Sequence, residues 1–456
     1  MWIKTLILQR NYDTPKYMKK VLVVGAGRSA TVCIDYLAEQ AKNNSIELTV
    51  ADATLDLVEK KVGQYAWVNQ ATINLDNLEE LHTLISGKAV VISLLPADLH
   101  IILANACLVE QAHLITASYT SVAMRDLDEE VKAKGLIFLN ECGLDPGIDH
   151  LSAMEIIDRI HDEGGTVTSF KSYCGGLVAP ESDNNPWGYK FSWNPRNVVI
   201  SGQSIATFLE EGRTKFVPYQ QLFQRDETIE VHGYGKFDAY PNRDSLIYKG
   251  IYGLENVKTM LRGTLRKHGY CEAWNALVML GLTDDTYHIE LQEGITFQEW
   301  VQMYLPHSET SRLGIEVLIP SISLSAIDKL DWLGVFRQEP LPKTSGTPAQ
   351  ILQALLETKW VLSHGDRDMI VMQHQFTYNY KGKAHDLISE LVVEGENETY
   401  TAMAKTVGLP LALACMLIVE EKITVYGVQL PITKMWYQPL LQSLATFGIT
   451  FKHQNN

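Results

Sequence analysis

The run Val21-Leu22-Val23-Val24 is wholly apolar, and Gly25-Ala26-Gly27-Arg28-Ser29-Ala30 follows at once, opening a helical stretch to about Gln40. A short buried strand, a glycine-rich turn and a helix in immediate succession leave few folds open. Gly25, Gly27 and Ala30 occupy the three positions of a GxGxxA fingerprint. The first makes the tight turn, the second lets backbone approach a pyrophosphate, and the small third residue allows close helix packing. Amides at the helix N-terminus, including those of Arg28 and Ser29, would then face phosphates. Further apolar runs recur at 46–50, 71–75, 89–92, 114–117 and 136–139, separated by helix-length stretches such as 55–66, 78–85, 99–111 and 123–134. Strands alternating with helices predict an α/β chain that begins with a Rossmann-type, doubly wound parallel sheet.

In such a sheet, ligands gather beyond the carboxyl ends of the strands. Asp52 ends the second run, where an acidic side chain accepts hydrogen bonds from ribose hydroxyls and repels an additional phosphate. The nearest basic residue downstream is Lys60. NAD is therefore expected over NADP. Asp52 as the exposed start of the next helix is the plain alternative. Ser93, Leu94 and Pro96 close the fourth run and Ser118-Tyr119 follows the fifth, so these residues are expected to converge on the same crevice, although each alone could be a strand-end cap or a packing residue.

At 456 residues the chain has room for two or three domains. Its formal charge of -15 argues against nonspecific binding to nucleic acid or anionic membrane. The six cysteines are scattered singly, without zinc-ligand spacing, so no metal site is expected. A reduced, cytoplasmic protein is the simplest expectation. No apolar run is read as approaching the roughly 20 residues that span a bilayer. Residues 1–17 precede Met18, Lys19, Lys20 and the first strand, and read as an upstream extension without an assignable role.

The stretch Asn140–Leu151 reads Asn-Glu-Cys-Gly-Leu-Asp-Pro-Gly-Ile-Asp-His-Leu. It joins the sixth apolar run to an amphipathic helix and carries Asp145, Asp149 and His150 among glycines and a proline. A loop bearing chemistry and a tight turn with Asp149 as helix cap are both open readings. Thr166 to Tyr173 alternates like a strand and leads into a second glycine-rich segment at Cys174. The following stretch, Asn184 to Trp193, is rich in aromatics and amides, suited either to the wall of a polar ligand site or to core packing. YPNRDS, with Arg243, and RGTLR, with Arg262 and Arg266, are the best anion-binding candidates, because guanidinium forks pair bidentately with carboxylates. An internal ion pair, such as Arg243 with Asp244 or Asp238, is the ordinary alternative.

Taken in order, GAGRSA, SLLP, ASYTS, NECGLDPGIDH, SYCGGLVAPESDNNPWGYKFSW, YPNRDS, RGTLR and AMAKTVGLP closely resemble the glutamate-forming saccharopine dehydrogenase (saccharopine reductase) family. The resemblance runs from about Met18 to the C-terminus. It implies a Rossmann domain at 18–142, a mixed-sheet α+β substrate and dimerisation domain at 143–256 and 361–402, a mostly helical insertion at 257–360, and a C-terminal segment, 403–456, packed back on the cofactor domain. It also implies oxidation of saccharopine, a secondary amine with three carboxylates, to glutamate and 2-aminoadipate 6-semialdehyde. Tyr119, Asp145 and Cys174 fall at the family's active-site positions, Asp145 being the first choice for acid/base work. Ser118, Tyr119, Asp145, Arg243, Thr264 and Arg266 are the implied substrate contacts. The chain departs from NADP-preferring fungal relatives in having Asp52-Ala53 where they carry a basic residue, and it has Ala97 where an aromatic is common. A dehydrogenase of a related secondary amine, such as the carboxynorspermidine type, and a non-catalytic nucleotide sensor are the competing readings. A homodimer is the base-rate expectation.

Overall fold

The computed structural model describes residues 18–201, 203, 205–306 and 310–455, so the expected extension at 1–17 lies outside the described residues. The chain opens with β1 (Lys19–Val24), α1 (Thr31–Lys42), β2 (Ile46–Asp52), β3 (Asn69–Thr72), β4 (Val90–Ser93), β5 (His113–Thr116) and β6 (Ile137–Leu139). The strands form one sheet in the order Gly427–Gln429, β6, β5, β4, β1, β2, β3, and all its pairings are parallel. Val21 to Val24 and Val90 to Ile92 are fully buried because helices cover both faces. β3 begins two residues before the apolar run that suggested it and is polar, Asn-Gln-Ala-Thr. As an edge strand paired only with β2, it does not need the apolar composition of a central one.

The first sheet is completed from the other end of the chain. Gly427–Gln429 pairs with β6, and the preceding helix, Ala402–Val419, packs on α1. Their approach is so close that a Cβ on Gly408 would lie 2.7 Å from the Cys33 amide nitrogen. That helix also corrects the reading of the apolar runs, since it is long and apolar enough, by length and composition, to cross a membrane. Here it is a mostly buried core helix. All six cysteines are buried and unpaired.

The second sheet is mixed. Its main path runs Glu227–Val231, Gly235–Pro241, Thr259–Lys267, β7 (Thr166–Val178), Asp368–Tyr380, Lys383–Glu394, Lys452–Asn455. Only the pairing of β7 with Thr259–Lys267 is parallel; the others along the path are antiparallel. This arrangement corrects two boundaries. Residues 259–267 belong to the sheet, so the helical stretch begins with Tyr270–Met279 and not at 257. The C-terminal segment divides between both sheets, with Lys452–Asn455 pairing Lys383–Glu394. Trp187, Tyr189 and Phe191 settle into an aromatic core with Tyr270, Trp274 and Trp360, so this stretch packs a core more than it walls a ligand.

Candidate functional site

At the end of β1 the chain turns at Gly25, whose φ is +106° and whose added Cβ would lie 3.1 Å from the Leu94 backbone. Gly27 has open space around it, as a backbone that admits a pyrophosphate requires. Arg28 to Ala30 form a tight turn leading into α1. Asp52 Oδ2 accepts the Ala26 amide at 2.6 Å and Oδ1 that of Ala53 at 2.6 Å. The residues at this end of the sheet therefore fit a dinucleotide: a permissive backbone, a helix N-terminus and a carboxylate at the end of β2. A cavity of about 450 Å³ lies beside them, with Arg28, Lys61, Phe191 and Trp360 in its lining. Leu94 lies against Gly25 and Pro96 is exposed at the strand end.

Ser93 turns elsewhere. It is fully buried and meets Nδ1 of His100 at 2.7 Å, while His100 Nε2 meets Ser118 Oγ at 2.8 Å. The ends of β4 and β5 are thus joined through one imidazole. Burial pushes the His100 pKa down to about 4, so near neutral pH the ring is uncharged, with one nitrogen donating and the other accepting.

The junction after β6 owes its shape to Gly147. Its φ is +148°, and a Cβ there would sit 2.0 Å from the Gly143 carbonyl oxygen. The Gly143 amide donates to the Pro146 carbonyl across this turn, and the Asp145–Pro146 peptide is cis. The helix Ile148–Asp162 starts immediately, with Gly147 as its cap. Asp149 is therefore inside the helix instead of capping it as expected. Its Oδ1 accepts the Gly147 amide at 2.6 Å, and its Oδ2 accepts Arg262 Nη2 at 2.5 Å.

The same Arg262 nitrogen donates to Asp145 Oδ1 at 2.6 Å, and the Tyr119 hydroxyl donates to that oxygen at 3.0 Å. Arg243 lies over the Tyr119 ring at 4.8 Å, and Arg262 over Tyr248 at 4.4 Å. Tyr119, Glu141, Asp145, Arg243, Tyr248 and Arg262 all line one cavity of about 310 Å³. Behind it, Glu141 is saturated: Oε1 accepts the Thr120 amide and hydroxyl, and Oε2 accepts Tyr248 and meets His150 Nε2 at 2.9 Å. Of the other expected residues, Cys174 on β7 is the register partner of Thr264. Arg266 is drawn into a cage of Tyr189, Tyr240 and Tyr270. Neither Cys174 nor Arg266 lines the cavity that holds Asp145.

Charge separates the carboxyl groups. Burial pushes Asp145 up; Arg262 opposes this and the neighbouring Asp149 charge adds to it, leaving the carboxyl above its ordinary range. Burial acts on Asp149 too, but His150, Arg262 and the Gly147 amide outweigh it and hold that carboxyl below its ordinary range. Two carboxyl groups on one guanidinium, driven apart in this way, divide into a proton-exchanging group and a permanent anion. Glu141 behaves as the second kind, since hydrogen bonds from His150, Tyr248 and Thr120 overcome its burial and hold it at about 2. The Cys174 thiol is pushed well up by burial, which suits a neutral thiol better than a base.

Sequence reasoning took Arg262 only as part of the anion-binding candidate RGTLR, whereas the structure gives its guanidinium to two aspartates, and it assigned no role to Glu141 or His100. One signal was available for Arg262: on a strand, RGTLR places Arg262, Thr264 and Arg266 on one face. Glu141 offered only its place in the junction, and nothing local marks His100.

The family description Saccharopine dehydrogenase NADP binding domain matches residues 21–139, and Saccharopine dehydrogenase C-terminal domain matches 143–449. The chain is 35% identical over 447 residues to the mitochondrial alpha-aminoadipic semialdehyde synthase of Bos taurus, covering 96% of this chain and 48% of that protein. It thus spans about half the length of that relative. It is 34% identical over 454 residues to the saccharopine dehydrogenase (NADP(+), L-glutamate-forming) of Saccharomyces cerevisiae, covering 96% and 99% of the two chains. The solved apo saccharopine dehydrogenase (L-Glu forming) from S. cerevisiae superposes with a TM-score of 0.86 at 32% identity, covering 96% of this chain and 100% of that one. A homospermidine synthase from Legionella pneumophila in complex with NAD, at 9% identity and a TM-score of 0.55, shares the fold alone. With both sheets accounted for by these matches, the chain belongs to the saccharopine dehydrogenase family.

Proposed function

We propose that the protein oxidises saccharopine to L-glutamate and 2-aminoadipate 6-semialdehyde with a nicotinamide dinucleotide as acceptor. The observation that carries this reading is the contrast among three arginines. Arg262 is neutralised by two aspartates, whereas Arg243 and Arg266 have no carboxylate partner among the described residues. Arg266 is buried, with an Nε that lacks any hydrogen-bond partner. Its three tyrosines and the Leu265 carbonyl satisfy it only in part; a buried guanidinium without a carboxylate favours the arrival of an anion, and a tricarboxylate brings several. Thr264, on the same face of its strand as Arg266, adds a neutral donor beside it.

The bound dinucleotide would supply the hydride acceptor, held by Gly25 to Ala30 and Leu94. The protein's own part is to hold the amine and move its protons. Oδ1 of Asp145 is occupied by Arg262 and Tyr119, so Oδ2 is the atom left to take the proton from the substrate's secondary ammonium. After that proton has left to solvent through the cavity, the same atom can take one from the water that attacks the imine. Tyr119 and Cys174 keep their protons and act as neutral hydrogen-bond donors.

NAD is our reading of the preferred cofactor. Asp52 meets the position of the ribose hydroxyls, and residues 53–59 contain no lysine or arginine. The S. cerevisiae relative is by name an NADP(+) enzyme, so the preference rests on this local difference. The test is to mix purified protein with saccharopine and either NAD or NADP, follow reduced nicotinamide, and identify the amino acid released. Glutamate is expected, with NAD the better acceptor. Lysine in its place, or no turnover with either dinucleotide, overturns the reading.

A further inference from the structure

Arg262 is tied down on every side. Its amide donates to Ser245 Oγ at 2.9 Å and its carbonyl accepts the Asn242 amide at 2.8 Å, which fixes the strand against the YPNRDS loop. Its guanidinium lies over Tyr248, with only 8% of the side chain exposed. Nη2 carries two hydrogens, and the Asp145 and Asp149 carboxylates converge on that one nitrogen. The two aspartates differ in access: the Asp145 side chain is 19% exposed and lines the cavity, while that of Asp149 is 2% exposed and does not.

We propose that Asp149 is a positioning residue for proton transfer, acting through Arg262: it pins the guanidinium from behind, so that Asp145 feels only part of its charge and Arg262 stays in place when Asp145 gains a proton. The proposal rests on Asp145 being the group that exchanges a proton with the substrate amine. Without Asp149, the guanidinium charge falls undivided on Asp145, and the removal of a like charge adds a smaller direct effect that would remain without Arg262. Both changes favour the ionised carboxylate and weaken it as a base. The other groups facing the pair come from every neighbouring element. Tyr119 stands after β5, Cys174 on β7 and His150 on the helix that carries Asp149, while His374 faces from Asp368–Tyr380. Tyr252 and Glu141 take the two ring nitrogens of His150, whose Nδ1 also lies 3.9 Å from Asp149 Oδ2. None of these other groups makes a hydrogen bond to Asp149, so Arg262 is its only side-chain hydrogen-bond partner among the described residues.

The experiment is the pH dependence of kcat/KM for saccharopine, measured on the full chain with saturating dinucleotide. Asp149→Asn is expected to move the acid limb to lower pH and to lower the plateau by roughly tenfold, as a weaker base predicts. Asp149→Ser still carries an oxygen for the Gly147 amide, guards against a folding defect in the first variant, and must give the same displacement. On an Arg262→Gln background, Asp149→Asn should displace the limb far less than it does alone. An acid limb unmoved in both Asp149 variants, or moved equally with and without Arg262, overturns the proposal. Asp145→Asn run alongside tests the premise separately: if it keeps the wild-type limb, Asp145 is not the proton-exchanging group and the proposal falls with that reading.

Discussion

Asp52 reaches back from the end of β2 to accept the Ala26 amide at 2.6 Å, so the carboxylate that would meet the ribose is fastened to the turn that would meet the pyrophosphate. A change at this residue alters cofactor choice and turn geometry together. The double substitution Asp52→Ala, Ala53→Arg removes the anion and offers a guanidinium to a 2′-phosphate. It is expected to raise the NADP-to-NAD ratio of kcat/KM about a hundredfold, or ~2.7 kcal/mol. Steady-state kinetics with both dinucleotides check this; an unchanged ratio would mean that Asp52 does not select the cofactor.

Gly147→Ala places a methyl carbon where the Gly143 carbonyl oxygen already is, 2.0 Å away. The turn cannot close around it, and Asp145 moves with the turn. The expected loss is about 3 kcal/mol or more of stability together with nearly all activity. Thermal melting and turnover measured on the same preparation decide the matter, and a variant with wild-type melting and turnover would show that the turn has another available shape.

Arg266→Met separates binding from folding. A buried guanidinium without a carboxylate stabilises the empty protein little, so melting should hold or rise. Saccharopine KM should rise about a hundredfold as a charge-assisted carboxylate contact is lost. A lowered melting temperature with unchanged KM would mark Arg266 as a structural residue held by its tyrosines.

Acid should weaken the fold in two stages. Burial holds His100, His113 and His374 at about 4, below the ordinary 6.5, so the unfolded chain binds protons at these sites before the folded one does. Their contribution is complete above pH 6.5 and is lost as pH falls toward 4. Glu141 follows, its contribution disappearing between its ordinary 4.5 and about 2. Urea midpoints measured from pH 7.5 downward should therefore decline first across the histidine range. A flat midpoint down to about pH 4.5 would contradict the burial of neutral imidazoles.

The first sheet was legible because its signals are local: a buried strand such as Val21–Val24 must be apolar wherever it packs, and GAGRSA carries its own turn. The edge strand Asn69–Thr72 was displaced in the reading because an edge needs no apolar face. Thr259–Lys267 lies within the helical insertion that the resemblance implied, and only the fold reveals a strand there with Arg262 and Arg266 buried on one face. The site was legible as a set of candidates and not as an arrangement. Arg262 lies 117 residues from Asp145 and 113 from Asp149, and nothing in the chain states that one nitrogen will serve both. The saturation of Glu141 by Thr120, His150 and Tyr248 is similarly a product of assembly.

The return of the chain to its first sheet bears on how the molecule is made. Val428 donates to Asp128 at 2.8 Å across 300 residues of sequence, and until Gly427–Gln429 arrives β6 is a bare edge and α1 lacks the helix whose Gly408 packs against it. Contacts of such separation form late and slow folding. On the ribosome, the nucleotide-binding domain therefore emerges before the segment that completes its sheet and waits, with an open strand and an uncovered helix, for residues made some 300 positions later.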